Sequence, residues 1–161
     1  YPSSFLAPLE QNEPHLSRAF AQIGELVDDL GRKGFGPEKI VLLGFSQGGC
    51  LALEYAARNA KPYGAVIGLS AGLIGPEGTP RAYAGSLEGA RVFLGCSDVD
   101  GHIPLLRVKE SARVLSSLGG DVVERIYPGM GHTINDDEIS QVRSALAKIL
   151  HPGIHQHREP V

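Results

Sequence analysis

Short apolar runs alternate with amphipathic segments along most of this chain, and this alternation limits its fold more than any other feature. The runs are rich in β-branched residues and short enough for buried strands, whereas the segments between them repeat apolar residues at helical spacing. The predicted strands are 39–45, 63–71, 90–97 and 121–128, and the predicted helices are 12–34, 48–59, 103–120 and 135–150. Strands that alternate with helices predict an α/β fold in which helices flank a parallel sheet.

Two further expectations concern the ends and the burial of these elements. Asn12 and Asn135 precede the first and last helices, where an asparagine side chain can cap free N–H groups. Acidic residues follow Asn135 in the first helical turn, where the helix dipole favours anions. The run 39–45 is almost entirely apolar, which is typical of a strand covered on both faces.

Composition narrows the possible partners. With 161 residues, 42% of them hydrophobic, the chain suits one domain, predicted over 1–150, followed by a tail at 151–161. A net charge of −3 without a basic stripe gives no reason to expect nucleic-acid binding. Stable membrane insertion is not expected either, because no apolar run approaches about 20 residues. Cys50 and Cys96 lie in apolar stretches and are interpreted as reduced core residues of a cytoplasmic protein.

A serine between two glycines follows the first predicted strand, in the sequence GFSQG at 44–48. A sharp turn from strand to helix would lift the Ser46 hydroxyl into a cleft, and such a turn needs small neighbours. The free N–H groups of the next helix would then face the same point, and the backbone N–H of Gln47 could stabilise an oxyanion. Ser46 is therefore a candidate nucleophile, although the same pattern also fits a simple helix cap.

A nucleophilic serine needs a base and an acid that orients the base, and both occur after later strands. The segment after 90–97 offers Asp98 and Asp100, and the segment after 121–128 offers His132. The carboxyl ends of parallel strands meet at one edge of the sheet, so these side chains are expected to converge with Ser46. The order of serine, acid and histidine along the chain is that of α/β-hydrolases. These features leave open which aspartate is the acid.

Three segments, GFSQGG, DGHIP and YPGMGH, together resemble the phospholipase/carboxylesterase family of α/β-hydrolases, which includes the acyl-protein thioesterases. The opening YPSSF, the NEP before the first helix and the segment GLSAGL are similar to that family as well, so the resemblance covers roughly residues 1–150. In this family the catalytic acid precedes a Val/Ile-Pro pair, a pattern that Asp100 matches through Ile103 and Pro104.

The resemblance implies a fold, an activity and a set of residues. It implies an α/β-hydrolase with Ser46 as nucleophile, Asp100 as acid and His132 as base, acting on small-molecule esters or thioesters. It favours small or medium acyl groups and suggests lysophospholipid or acyl-protein thioester as possible substrates. No metal and no organic cofactor is expected.

The chain departs from the family in one important respect. The family has several strands and a glycine-rich loop ahead of the point where this sequence begins, and no H-G-x-G occurs in residues 1–161. That loop supplies the second oxyanion donor. We therefore expect an α/β-hydrolase fold that lacks its N-terminal strands, as part of a longer enzyme, with a naturally short form as the alternative. The competing functions are a serine peptidase of the same fold and a catalytically silent binding module.

Several other residues attract weaker interpretations. The segment 72–89 is long for a simple connection and follows a strand, so Leu73, Ile74 and Tyr83 are candidates for contact with an acyl chain. His102 is interpreted as a turn residue near the rim of the site. His155 and His157 form an H-x-H pair in the tail, which is expected to be solvated rather than to bind a metal.

Overall fold

Residues 1–151 are the part of the chain that the structure, a computed structural model, describes, and in them helices alternate with strands except between the second and third strands. The strands are β1 (Val41–Phe45), β2 (Ala65–Leu69), β3 (Arg91–Ser97) and β4 (Asp121–Tyr127), and the helices are α1 (His15–Arg32), α2 (Gln47–Arg58), α3 (Leu105–Ser117) and α4 (Asp136–Leu150). Two short 3₁₀ helices, Leu9–Asn12 and Pro37–Lys39, precede α1 and β1. All eight predicted elements are thus confirmed, with ends that differ by only a few residues.

The strands form a parallel sheet in the order β1-β2-β3-β4. Consecutive strands are neighbours, and α2 and α3 carry the chain back from β1 to β2 and from β3 to β4. The crossover from β2 to β3 is made by the segment 70–90, which contains no helix. Every residue of β2 is buried, and in β3 only Arg91 is partly exposed. Because the strands are parallel, the segments that follow β1, β3 and β4 emerge along the same edge of the sheet.

The expectation that the first strand is covered on both faces is wrong. β1 is an outer strand that pairs only with β2 among residues 1–151, and Leu43 and Phe45 are 48% and 38% exposed. These two side chains alternate with Leu42, which is buried against α2 and its neighbours. An apolar run indicates that its residues prefer burial, but it does not indicate how many strands or helices pack against the strand.

Asn12 does not cap α1 as expected. Its side chain is fully buried in the 3₁₀ helix, where Oδ1 accepts from the backbone N–H of Ser3 and Nδ2 donates to the carbonyl of Ser4. The first helix begins instead at His15, and the neighbouring Glu13 carboxylate accepts from the N–H of Ser17. Asn12 therefore fixes the N-terminal segment rather than the helix, because a buried amide must satisfy both of its polar ends.

The cap of α4 is confirmed and is reciprocal. Asn135 Oδ1 accepts from the Glu138 N–H at 2.9 Å, and Glu138 Oε2 accepts from the Asn135 N–H at 2.9 Å. Glu138 is completely buried, and its Oε1 has no hydrogen-bond partner among the residues described. Burial raises the pKa of Glu138, against the opposing effect of the Asn135 N–H bond. The cap thus places a carboxyl group where its charged form is disfavoured.

Glu138→Gln is expected to stabilise the protein progressively as the pH rises above the ordinary pKa of a glutamate. In the native state the raised pKa of Glu138 means that ionisation costs more free energy than in the unfolded chain. The wild-type protein therefore loses stability, relative to the variant, as the pH rises from the unfolded pKa through the higher folded pKa. Urea unfolding at pH 4 and pH 8 measures this difference, with the exposed Glu25→Gln as a matched control. An equal effect of Glu138→Gln at both pH values would contradict the prediction.

Two further expectations concern membrane insertion and the C-terminal tail. Within residues 1–151 no helix is both long and apolar enough to cross a bilayer. Residues 152–161, with His155 and His157, lie outside the described residues, so the division into a domain at 1–150 and a tail at 151–161 stays a prediction.

Candidate active site

Three side chains that are distant in sequence meet at the carboxyl edge of the sheet. Ser46 follows β1, Asp100 lies in the segment after β3, and His132 lies in the segment after β4. Ser46 Oγ is 2.9 Å from His132 Nε2, and His132 Nδ1 is 2.8 Å from Asp100 Oδ2. An ionised carboxylate can only accept, so Nδ1 carries the proton and Nε2 is free to accept from the serine hydroxyl.

The backbone at Ser46 adopts a conformation that is rare for a residue with a side chain. Its φ is 52° and its ψ is −122°, which is a strained combination that costs about 1–3 kcal/mol. The turn is held by a hydrogen bond from the Ser46 N–H to the carbonyl of Leu69 at the end of β2. It delivers the chain directly into α2, whose first residue is Gln47. The Gln47 N–H has no partner within its own helix and is available to an anion at this end.

The glycines around Ser46 are not equivalent. A Cβ on Gly44 would collide with the backbone of Gly48 and Gly49, and a Cβ on Gly49 would lie 2.6 Å from the Ala71 Cβ. A Cβ on Gly48, by contrast, would meet nothing within 4 Å. The close approach that the turn requires is therefore between Gly44 and the first turn of α2, and Gly49 rather than Gly48 is the second restricted position.

Gly44→Ala and Gly48→Ala are expected to have opposite effects on stability. Gly44→Ala forces backbone apart and should lower the free energy of unfolding by about 3 kcal/mol or more. Gly48→Ala adds a methyl group to open space within a helix and should raise it by about 0.5–1 kcal/mol. Urea unfolding of both variants measures these changes. A destabilised Gly48→Ala together with an unaffected Gly44→Ala would contradict this description of the turn.

The two candidate acids have different partners. Asp100 Oδ2 contacts His132, while Asp100 Oδ1 accepts from the backbone N–H groups of His102 and Ile103 at 2.8 and 3.1 Å. Asp98 turns away from the imidazole, and its Oδ1 accepts from the backbone N–H of Gly129 at 2.8 Å. Of the two aspartates that the sequence left open, the structure brings Asp100 to His132.

The surroundings of Asp100 favour its charged form. Burial alone would raise the pKa of this carboxyl, but the hydrogen bonds from His132, His102 and Ile103 outweigh it and hold the pKa below its ordinary value. The carboxylate side chain is fully buried, whereas that of His132 is 21% exposed. Asp100 is therefore an ionised acceptor behind an imidazole that still reaches the surface.

Sequence reasoning missed two aromatic contacts and one thiol contact in the site. The rings of Phe45 and His102 lie 4.9 and 4.6 Å from that of His132, centroid to centroid. Cys96 Sγ lies 3.7 Å from Asp100 Oδ2, as a weak donor to the same oxygen that His132 contacts. Phe45 could have been found from its position beside Ser46, whereas His102 and Cys96 carried no signal beyond their nearness to Asp100.

Neither cysteine competes with Ser46 as a nucleophile. Burial raises the pKa of Cys50 to about 11, and burial together with the Asp100 charge raises the pKa of Cys96 to about 12. Both thiols are buried and carry no disulfide. Only the thiolate is strongly nucleophilic, so both groups are unreactive near neutral pH. The expectation that they are core residues is confirmed.

Leu73 and Ile74 require a correction. Both side chains are completely buried in the hydrophobic core, so neither presents a surface to an acyl chain. Tyr83 packs partly against the same core, and its hydroxyl lies 3.0 Å from Glu54 Oε1. Residues 71–75 of the segment after β2 run into the interior, whereas Glu77 and Gly78 further along it line an open pocket beside α3. Apolar residues in a long connection do not reveal which course it takes.

Buried charges hold the start of this segment, residues 71–75, in the interior. Glu54, on α2, is 1% exposed and accepts from the Ile74 N–H, from the Tyr83 hydroxyl and from Arg58. Arg107, on α3, donates to the carbonyl of Leu73 at 2.7 Å and forms an ion pair with Glu110. The segment is thereby tied to the two helices on either side of it by side chains that would be costly to leave unpaired.

Comparisons with known proteins agree with this architecture. The sequence model of the phospholipase/carboxylesterase family matches residues 4–150. Acyl-protein thioesterase 1 of Gibberella zeae is 34% identical over 125 residues, which cover 74% of this chain and 52% of the relative. Acyl-protein thioesterase 1 of Aspergillus fumigatus is 29% identical over 156 residues, covering 88% and 60%. The chain thus spans roughly half to three fifths of the curated relatives that it matches.

Solved structures show the same fold. A phospholipase/carboxylesterase from Dyadobacter fermentans superposes with a TM-score of 0.86 at 43% identity, over 93% of this chain and 70% of that one. Arabidopsis thaliana SOBER1 superposes with a TM-score of 0.72 at 20% identity, over 84% and 64%. The second similarity concerns the fold alone, whereas the first also extends to the sequence.

Proposed function

Because the chain belongs to the phospholipase/carboxylesterase family of α/β-hydrolases, we propose that it hydrolyses carboxylic esters or thioesters through an acyl-enzyme on Ser46. The observation that carries the proposal is the hydrogen-bonded series from Ser46 Oγ through the His132 ring to Asp100 Oδ2. A hydroxyl is a weak nucleophile unless a base can take its proton, and here the base is within 2.9 Å.

The first half of the reaction forms the acyl-enzyme. Ser46 Oγ attacks the substrate carbonyl carbon while its proton passes to His132 Nε2. The carbonyl π electrons move to oxygen, and the backbone N–H of Gln47 donates to that oxyanion. The tetrahedral intermediate then collapses, the bond to the alcohol or thiol breaks, and His132 returns the proton to the leaving group.

The second half releases the acid and regenerates Ser46. Water loses a proton to His132 Nε2 as its oxygen attacks the acyl carbon. Collapse of the second tetrahedral intermediate breaks the bond to Ser46 Oγ, which recovers a proton from His132. Asp100 accepts from Nδ1 throughout, so that Nε2 keeps facing the reacting atoms and the imidazolium is stabilised while it exists.

The substrate class is proposed from the family and not from a pocket. Relatives at 34% and 29% identity bear the name acyl-protein thioesterase 1, and a structure at 43% identity is a phospholipase/carboxylesterase. We therefore propose small or medium acyl esters as substrates, with lysophospholipid and acyl-protein thioester as the physiological candidates. Leu73 and Ile74, two of the residues that the sequence suggested for contact with an acyl chain, are buried and do not supply such a contact.

A panel of chromogenic substrates tests this function. The full-length protein is given p-nitrophenyl esters of increasing acyl length, a matched thioester and a peptide p-nitroanilide. We expect turnover of the esters and the thioester, with little or no cleavage of the anilide. Preferential cleavage of the anilide would favour a serine peptidase. An absence of turnover combined with no labelling of Ser46 by a fluorophosphonate would favour a silent binding module.

A further inference from the structure

Two side chains bridge the segments that carry the acid and the base. The last paired residues of β3 and β4 are Ser97 and Tyr127. Beyond this pair, no strand pairing joins the segment that carries Asp100 to the segment that carries His132. Side chains replace the strand pairing there: Ser97 Oγ accepts from the Gly131 N–H at 3.0 Å, and Asp98 Oδ1 accepts from the Gly129 N–H at 2.8 Å. We call Ser97 and Asp98 the clamp.

The segment held by the clamp has a backbone that would otherwise be hard to order. Gly129 and Gly131 both have positive φ, at 69° and 77°, in the four residues that separate β4 from His132. Glycine loses more conformational freedom on ordering than any other residue, so this segment needs fixed contacts to keep one geometry. Both of its glycine N–H groups find them on the clamp.

Ser97 of the clamp also contacts the segment that carries Asp100. Ser97 is fully buried, and its hydroxyl oxygen also accepts from the Val99 N–H at 3.1 Å, which shapes the turn leading to Asp100. One oxygen therefore bonds the segment of the acid and the segment of the base at once. Gly131 precedes His132 directly, so a shift of its N–H would be passed to the imidazole.

We propose that Ser97 and Asp98 are positioning residues that hold His132 within reach of both Ser46 and Asp100. The inference rests on the proposed function, because it assigns the clamp a role in the reaction of Ser46. A displacement of about 1 Å in a reacting group can lower a rate by about 100-fold, so even a partial loosening should be measurable. Neither side chain contacts the reacting atoms, so the clamp acts only through the backbone before His132.

The test compares variants that remove the clamp acceptors with one that keeps an acceptor. Ser97→Ala and Asp98→Ala are each expected to lower kcat for a p-nitrophenyl ester by about 10-fold with little change in KM, the effect of about one lost hydrogen bond. Asp98→Asn retains an oxygen that accepts from Gly129 and should keep most of the activity. Ser117→Ala, whose hydroxyl bonds only within the end of α3, is the matched control.

A second measurement separates positioning from general loss of stability. The proton between His132 Nδ1 and Asp100 should give a low-field NMR signal in the wild-type protein. This signal should broaden or disappear in Ser97→Ala, while the backbone amide signals remain those of a folded protein. An unchanged signal and an unchanged kcat in both alanine variants would overturn the clamp. If the wild-type protein itself neither turns over esters nor reacts with a fluorophosphonate, the proposed function fails instead.

Discussion

Ser46→Ala is expected to lower ester hydrolysis by about 10⁴- to 10⁶-fold, the largest effect of any single substitution in this chain. The substitution removes the only atom that can form the acyl-enzyme, while His132 and the Gln47 N–H remain in place. Residual activity would reflect water activated directly by His132. The turn is held by the backbone bond from the Ser46 N–H to Leu69, and alanine keeps the same Cβ at this position, so the loss of the hydroxyl should not by itself unfold the turn.

The measurement is the rate of p-nitrophenyl ester turnover together with covalent labelling by a fluorophosphonate. Labelling of the wild-type protein should map to Ser46 and vanish in Ser46→Ala. Ser140→Ala, an exposed serine on α4, serves as the control and should be labelled at the wild-type rate. Persistent labelling of Ser46→Ala at another residue would show that the nucleophile had been misassigned.

If the proposed roles hold, Asp100→Asn is expected to reduce kcat by about 10⁴-fold, the effect of losing the orienting acid in serine hydrolases. The amide that replaces the carboxylate can offer an N–H to Nδ1, which favours the tautomer that cannot accept from Ser46. Asp98→Asn should stay close to wild type, because its partner is a backbone N–H and not the imidazole. The two isosteric substitutions therefore differ by orders of magnitude although they lie two residues apart.

Stopped-flow kinetics of the same ester separates acyl-enzyme formation from its breakdown in both variants. For Asp100→Asn we expect both steps to slow, since His132 is the proposed base in each. Melting temperatures of the two variants provide the control for folding. A large loss of kcat in Asp98→Asn with near-normal Asp100→Asn would reverse the assignment of the acid.

The convergence of the three strand-end residues could be predicted because it depends on topology. Once strands alternate with helices in a parallel sheet, residues that follow β1, β3 and β4 must emerge at one edge. Ser46, Asp100 and His132 each satisfied that condition, and the structure brings them within hydrogen-bond distance. The choice between Asp98 and Asp100 did not follow from topology, because both emerge from the same strand and only the turn after it separates them.

Other features depend on neighbours that a local pattern does not encode. Leu73 and Ile74 are as apolar as residues that line an acyl pocket, yet buried charged side chains bond their backbone and hold both residues in the core. Asparagine is a favoured helix-cap residue, but the buried hydrogen bonds of the Asn12 amide with Ser3 and Ser4 outweigh that local preference. The exposed residues of β1 show the same limitation, since hydrophobicity reports preference for burial and not the number of adjacent strands.

The buried position of Glu54 has a consequence for any attempt to change the specificity of this protein by loop exchange. The carboxylate accepts from Tyr83 and the Ile74 N–H of the segment after β2, so a graft that replaced this segment would leave it with Arg58 of its own helix but without these two donors. Each hydrogen bond lost from a buried charged group costs about 1.5–3 kcal/mol, a large part of the stability of a domain of this size. A transplanted segment must therefore bring its own donors for Glu54, or α2 must be redesigned with it.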